Sequence, residues 1–371
     1  MSEALSGRAL NRATLARQLL LERSDRPVLD TVAHLVGLQA QEPPNPYLAL
    51  WSRLARFDPD ELSGLLMARQ VVRIVVMRGT IHLVTANDAL VLRPLVQPVL
   101  DAELARHRDY APALRGVHLG PVLEVARTVL AEHPHSGRHL RAALAERFPE
   151  HDPAALAYAC RCRLALVQVP PRGLWRRSGQ VAVTTAEAWL GAPLDPNPSI
   201  DDVVLRYLGA FGPATTGDVA TWSRLTGLGE VVERLRPRLR SFRDERGREL
   251  FDLPDAPRPD PDTPAPPRFL PEYDNAVLSH ADRSRLVSEK HRGWLFETPG
   301  PVHGSVLHDG FLSGTWAIDR SSEVPRLVVR PVVKLAKRAG AAVLAEGRRV
   351  LRFLEPDVAI RELDVRLAPA A

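Results

Sequence analysis

The sequence predicts an α+β protein, mostly α, in which three similar helical units each close with a β-hairpin and a smaller β-rich unit follows. Three observations predict it. Apolar residues recur with helical period through most of residues 12–236, interrupted by short β-branched runs. The order of helices, then two strands about a turn, occurs three times at about 90-residue spacing. A Pro/Asp tract at 254–267 then separates this array from a stretch with strand alternation. At 371 residues the chain exceeds one compact core, in keeping with several units.

The first unit is read over residues 1–115. Helical patterns cover 12–22, 27–38 and 47–56, and a fourth opens at Asp58, an N-cap with Pro59 at the first position and Glu61 in capping-box register. The runs 71–76 and 81–85 read as strands around Met77 to Thr80. Helices followed by a hairpin are the order of a winged helix, a helix-turn-helix with an added β-hairpin. The second unit, 116–195, repeats it: helices at 122–132, 136–147 and 153–163, then strands at 164–169 and 180–185 around a basic tip carrying Arg172, Arg176 and Arg177. The third, 196–253, has helices at 200–211, 216–225 and 230–236 and a hairpin about Glu245 to Gly247.

The C-terminal unit is read over 268–371. Residues 305–318 form a hairpin with Asp309-Gly310 at the turn. A strand at 327–333 contains Pro331, which argues for an edge or a bulge. A helix at 334–354 should break near Gly340 and Gly347.

Composition narrows the class. Apolar residues are 45% and charged residues 25%, as in soluble globular proteins. No apolar run approaches the ~18 residues of a membrane helix, and Met1-Ser2-Glu3 opens no secretory signal, so the expected compartment is cytoplasmic. Cys160 and Cys162, two apart in a helix, neither close a disulfide nor make a zinc site alone. The net charge of +5 permits a nucleic-acid partner, and of 49 basic residues only three are Lys. A GC-rich genome explains that bias as well as phosphate recognition by Arg forks does.

One stretch stands apart: Gly37-Leu38-Gln39-Ala40-Gln41-Glu42-Pro43-Pro44. Gly37 weakens the preceding helix near its end, and Pro43 disfavours helical backbone at Glu42. On extended backbone Gln39 and Gln41 point the same way, where two amides can hold one water and one ligand group together. Taken alone, two amides after a helix equally well face water. His133, His135 and His139 cluster at a helix start, where they cap and solvate it; no third ligand in register makes a metal site. Ser313 lacks the Gly-x-Ser-x-Gly spacing of a nucleophile elbow, and no Gly-rich phosphate loop precedes a Lys.

Read together, several motifs resemble a known family. They are Gly37-Leu-Gln39-Ala-Gln41, Arg78-Gly-Thr-Ile-His82-Leu-Val-Thr85, Phe269-Leu-Pro-Glu-Tyr-Asp274-Asn275 with Ser279-His-Ala-Asp-Arg283, and His303-Gly-Ser with Gly314-Thr-Trp316. The family is the bacterial winged-helix DNA glycosylases of the AlkZ type, and the likeness covers nearly the whole chain. It divides into a Gln-x-Gln branch and a YcaQ-like Gln-x-Asp branch; Gln41 places this chain with the first. The resemblance implies three tandem winged helices in a C shape with an extra β-rich unit. It implies a glycosylase that removes N7-alkylguanine, unhooks interstrand crosslinks and protects producers of a DNA-alkylating antibiotic such as azinomycin; with no Lys near the Gln motif to form a Schiff base, the expected enzyme is monofunctional. Its partner would be double-stranded DNA carrying the lesion, bound by a monomer, with no cofactor and no metal.

Amides suit that chemistry. N7 alkylation places a positive charge on guanine, so the base leaves without a general acid and the sugar passes through an oxocarbenium-like state. A water must be placed at C1′ and positive charge stabilised, and a carboxamide oxygen does both, more weakly than a carboxylate. Gln39 and Gln41 are therefore the expected catalytic pair. The expected DNA contacts are Arg73, Arg78 and His82 on the first hairpin, Arg172, Arg176 and Arg177 on the second, and His303 and His308 on the last, whose tip should meet the duplex because turns are seldom buried. The alternative is a winged-helix regulator or architectural protein without activity, which accounts for the units and the charge but leaves the Gln pair unexplained.

Overall fold

The computed structural model describes residues 4–291, 293, 303–322, 324–359 and 364–368. Among these residues helices predominate over strands, and the strands form three sheets of six, three and five.

The six-stranded sheet carries the Gln motif. In order it contains Leu38–Gln39, Ile81–Thr85, Val71–Val75, Leu166–Gln168, Ala182–Thr185 and His135–Ser136. Arg73 pairs with Gln168 and Ile74 with Val167, so the first and second hairpins form one continuous surface. Val71–Val75 is buried throughout, as a β-branched run in the middle of a sheet should be. One face of the sheet, with Val72, Ile74, Val84 and Val167, packs on Tyr207, Phe211 and Trp222 of the third helical unit. The other, with Val71 and Leu83, packs on Tyr47 and Leu50. Helices Ala86–Leu95 and Gln97–Arg106, which the apolar pattern did not announce, follow the first hairpin, and Thr85 caps the former by accepting from Asp88 N at 3.0 Å.

The chain start belongs to the three-stranded sheet, where Ala4–Leu5 runs parallel to Arg240–Asp244 beside Glu249–Asp252. Helix Gly7–Arg17 crosses to the same region: Arg17 forks onto Asp252 at 2.6 and 2.8 Å, both side chains fully buried. The Pro/Asp tract lies along this helix, with Pro261, Thr263 and Pro257 carbonyls accepting from Arg8, Arg12 and Arg17.

Several local expectations change. Asp58 caps Pro59–Met67 by accepting from Asp60 N, but Glu61 reaches across to Val28 N at 3.2 Å, so no capping box forms. Helix Lys337–Leu354 runs unbroken through both glycines. A Cβ on Gly347 would stand 2.9 Å from Val365 and 3.3 Å from Phe269, so this glycine admits close packing on the sheet instead of ending the helix. Pro331 closes the strand Arg326–Pro331, which is flanked by Phe311–Asp319 and Asp364–Leu367; it stands at a strand end, not on an edge strand.

Candidate active site around Gln39 and Arg78

Helix Val28–His34 ends four residues before the pattern suggested. Val36 (φ 54) and Gly37 (φ 93) both adopt left-handed backbone, and Gly37 N closes the turn onto Val32 O at 3.0 Å. A side chain at Gly37 would meet Val84 at 2.6 Å, so glycine is required there. A β-branched residue at Val36 in this conformation stores strain one turn ahead of the motif.

The turn delivers Leu38–Gln39 onto the edge of the sheet, with Gln39 opposite His82. Pairing ends when Ala40 N donates to Ile81 O at 2.8 Å, and the chain then bends. Gln39 is therefore 9% exposed, while Gln41 beyond the bend is open to solvent. The expected pair shares a segment but not an environment.

Arg78 organises what lies around Gln39. It holds left-handed backbone (φ 59) in the turn between the strands, which drives its guanidinium back under the sheet edge. Its Nη2 donates to Gln39 Oε1 and to Asn275 Oδ1, both at 2.9 Å, and lies 3.3 Å from His82 Nε2; Nη1 donates to Trp222 O at 3.3 Å. Asn275 in turn donates through Nδ2 to Gly37 O at 3.1 Å. All these partners are neutral. Burial, then Arg283 and Arg224, push the Arg78 pKa down to about 10, which still leaves it cationic at neutral pH. Because a guanidinium only donates, His82 Nε2 presents its lone pair and Nδ1 carries the proton toward Thr80 O at 3.0 Å. Burial, aided by Arg78, pushes the His82 pKa down to about 3, so the ring is neutral.

The remaining expected residues lie elsewhere. Arg73 is 1% exposed and is no phosphate contact: the register puts it opposite Leu83, one row from Gln39–His82–Ile74, so it faces the other side of the sheet. There it donates to Ala40 O at 2.8 Å, bracing the backbone between the two glutamines. The second hairpin's loop is not a free basic tip, because Leu174 and Trp175 pack into the Tyr47 core. Arg172 reaches Gly179 O, Arg176 pairs with Asp357 at 2.6 Å, and Arg177 is exposed. His303 sits half-buried at the hairpin base, its pKa lowered by burial and Arg330. The opposite tip, next to His308, is packed against the first helix. Asp309 accepts from Arg8 and Arg12, and Gly310 O accepts from Asn11. A turn can be covered when its partners are supplied in this way, and that tip offers no free end to a duplex.

Sequence reasoning missed Asn275, Arg224 and Arg283 as groups acting on Arg78. The motif Asp274-Asn275 was the available signal for the first. Nothing local marks Arg224, which ends helix Thr216–Ser223 in left-handed backbone (φ 62) and opens a groove of about 830 Å³ shared with Arg106 and His107. His135 and His139 stack with centroids 4.0 Å apart and planes within 5°, which turns their nitrogens away from a common point. Among the described residues no group of three His, Cys, Asp or Glu is arranged to hold a metal, and no helix is long and apolar enough to cross a membrane.

The site is thus a neutral polar shell about a half-buried cation, at the edge of a sheet, with a second amide exposed on the same segment. No curated protein sequence matches the chain. Among solved structures, DNA glycosylase AlkZ of Streptomyces sahachiroi superposes with a TM-score of 0.78 at 22% identity, over 98% of this chain and 100% of that one, a likeness of fold. The family model described as DNA glycosylase AlkZ-like matches residues 32–353, most of the length and every element of the site. The chain belongs to the AlkZ-like DNA glycosylase family.

Proposed function

We propose that this glycosylase excises N7-alkylated guanine from duplex DNA with a division of labour between its two glutamines. The observation that carries the reading is the Arg78–Gln39 hydrogen bond. It commits Gln39 Oε1 to the protein and leaves the Gln39 amide N–H groups as what that side chain can offer a substrate. Gln41, exposed and unconstrained by the sheet, has its carboxamide oxygen available for a water at C1′. Neither amide is a strong base, so the site suits a base that is already charged and leaves as a neutral molecule. An uncharged base should turn over poorly.

The exposure of Gln41 also supports action on bulky or crosslinked guanines, which cannot leave the duplex to enter an enclosed pocket. Such a substrate class would serve self-protection against a DNA-alkylating antibiotic such as azinomycin, the role the family resemblance implies. The test is single-turnover incubation with duplexes carrying N7-methylguanine, a bulky N7 adduct or an N7 crosslink, scoring released base and abasic sites. Release from all three, lost in Gln41→Ala, is expected. Wild-type rates in both Gln39→Ala and Gln41→Ala would sink the assignment, and turnover of N7-methylguanine alone would remove crosslinks from the substrate class.

A further inference from the structure

The loop bearing Asn275 is tied down at nearly every residue. Ser52 Oγ donates to Phe269 O at 2.6 Å, Trp316 Nε1 to Leu270 O at 2.9 Å, and Asn45 Nδ2 to Glu272 O at 2.9 Å. Asp274 accepts both ends of the Arg53 guanidinium at 2.9 and 2.7 Å and caps Ala276 N at 2.9 Å. Asn275 is bound to Arg78 and to Gly37 O. The ties to Gly37 and Asn45 lie on either side of the Gln39–Gln41 segment, so the two loops run together.

Tyr273 is the exception. Its backbone is left-handed (φ 61), a conformation that a bulky residue adopts only at a cost and that glycine would adopt freely. Its side chain packs into none of the hydrophobic clusters, and at 37% exposure it joins Met67 and Val181 as the large apolar residues open to solvent among those described. A rigid frame holding an exposed aromatic in a strained conformation, on a loop tied to both flanks of the Gln39–Gln41 segment, is a device for presenting that ring outward. Aromatic side chains presented to DNA stack on bases or enter base steps.

We propose that Tyr273 is a stacking wedge that packs its ring on the base pair flanking the alkylated guanine and holds the lesion over Gln41. This rests on the glycosylase reading above. The Arg53–Asp274 pair and the Asn45 tie hold the backbone against recoil, so that a strained ring position survives contact with the duplex.

The test uses the full chain and a duplex with 2-aminopurine beside N7-methylguanine. Tyr273→Gly removes the ring and relieves the backbone, so it should melt at or above the wild-type temperature. It should nevertheless excise roughly 10-fold or more slowly and lose the rise in 2-aminopurine fluorescence that wild type gives on binding. Tyr273→Phe, which keeps the ring, should restore both. A wild-type fluorescence response in Tyr273→Gly would overturn the wedge whatever its excision rate. Absence of base release by the wild-type chain, with its fluorescence response intact, would overturn the substrate reading and leave the wedge standing.

Discussion

Arg78 Nη2 and Gln39 Oε1 lie 2.9 Å apart, and this contact sets the polarity of the site. It fixes which end of the Gln39 amide is oxygen, and it makes Gln39 a ligand of a half-buried cation that has no carboxylate within ion-pair distance among the described residues. A carboxylate at position 39 would therefore be welcome to the fold and useless to the proposed chemistry. Gln39→Glu is expected to raise stability by about 1–3 kcal/mol, the scale of a charge-assisted hydrogen bond. It is expected to slow excision about 10-fold or more, because no N–H remains at that position. Chemical denaturation alongside single-turnover kinetics checks both; a fully active Gln39→Glu would show that the N–H groups are not used.

The loop carrying Tyr273 and Asn275 depends on one ion pair. Arg53 and Asp274 are 0% and 1% exposed, and each would be left as an unpaired buried charge without the other. Arg53→Met should destabilise by about 3–5 kcal/mol, and the double variant Arg53→Met, Asp274→Leu should recover part of that loss. Recovery will be incomplete, since Asp274 also caps Ala276 N. Urea titration of the three proteins checks this; a double variant as unstable as the single would place the cost in packing, not charge.

Two buried imidazoles set the acid limit. Burial pushes both His82 and His280 down to about 3, with Arg78 adding to the first and Arg285 to the second, while Asp218 opposes the shift in His280. Unfolded, each titrates near the ordinary histidine value of about 6.5. Below that value the unfolded chain takes up protons that the folded chain refuses. Stability is thus full above about pH 6.5 and falls as pH drops toward 3, by roughly 2 kcal/mol per group at pH 5. Denaturation midpoints from pH 7.5 to 5 should show the fall, and His82→Gln should show a shallower one. An unchanged slope in that variant would mean His82 is not the titrating group.

The sequence carries the site unevenly, for physical reasons. Gln39, Arg78 and His82 stood out in the sequence, but Arg78 and His82 as DNA contacts; the ladder instead sets a fully buried His82 opposite Gln39, and Arg78 turns onto Gln39 and Asn275. Arg73 misled because its position on a strand does not reveal which face the fold will bury, and that is settled by Gln168 and Leu83 across the ladder. Asn275 comes from nearly 200 residues away, and Arg224 from a helix end whose left-handed turn has no glycine to announce it. The hairpin tip at Asp309 looked free because the partners that cover it, Arg8, Asn11 and Arg12, lie at the other end of the chain.

The face that meets DNA phosphate can be decided by salt dependence. Arg224 is close enough to lower the pKa of Arg78, and it lines a groove together with Arg106, His107 and Glu103. On the second hairpin Arg176 is already neutralised by Asp357 at 2.6 Å, whereas Arg177 is exposed. Each guanidinium that truly contacts phosphate releases about one counterion, so its removal should weaken binding on every sequence and lower the slope of log K against log salt by about 1. Arg224→Ala and Arg106→Ala should do so. Arg176→Ala should leave the slope unchanged, because its charge is spent within the protein. Arg177→Ala decides whether the duplex extends to the second hairpin. Filter binding of one lesion-bearing and one unmodified duplex across a salt series measures all four. A slope lowered by Arg176→Ala and Arg177→Ala but not by Arg224→Ala or Arg106→Ala would move the DNA to the hairpin face, away from the groove.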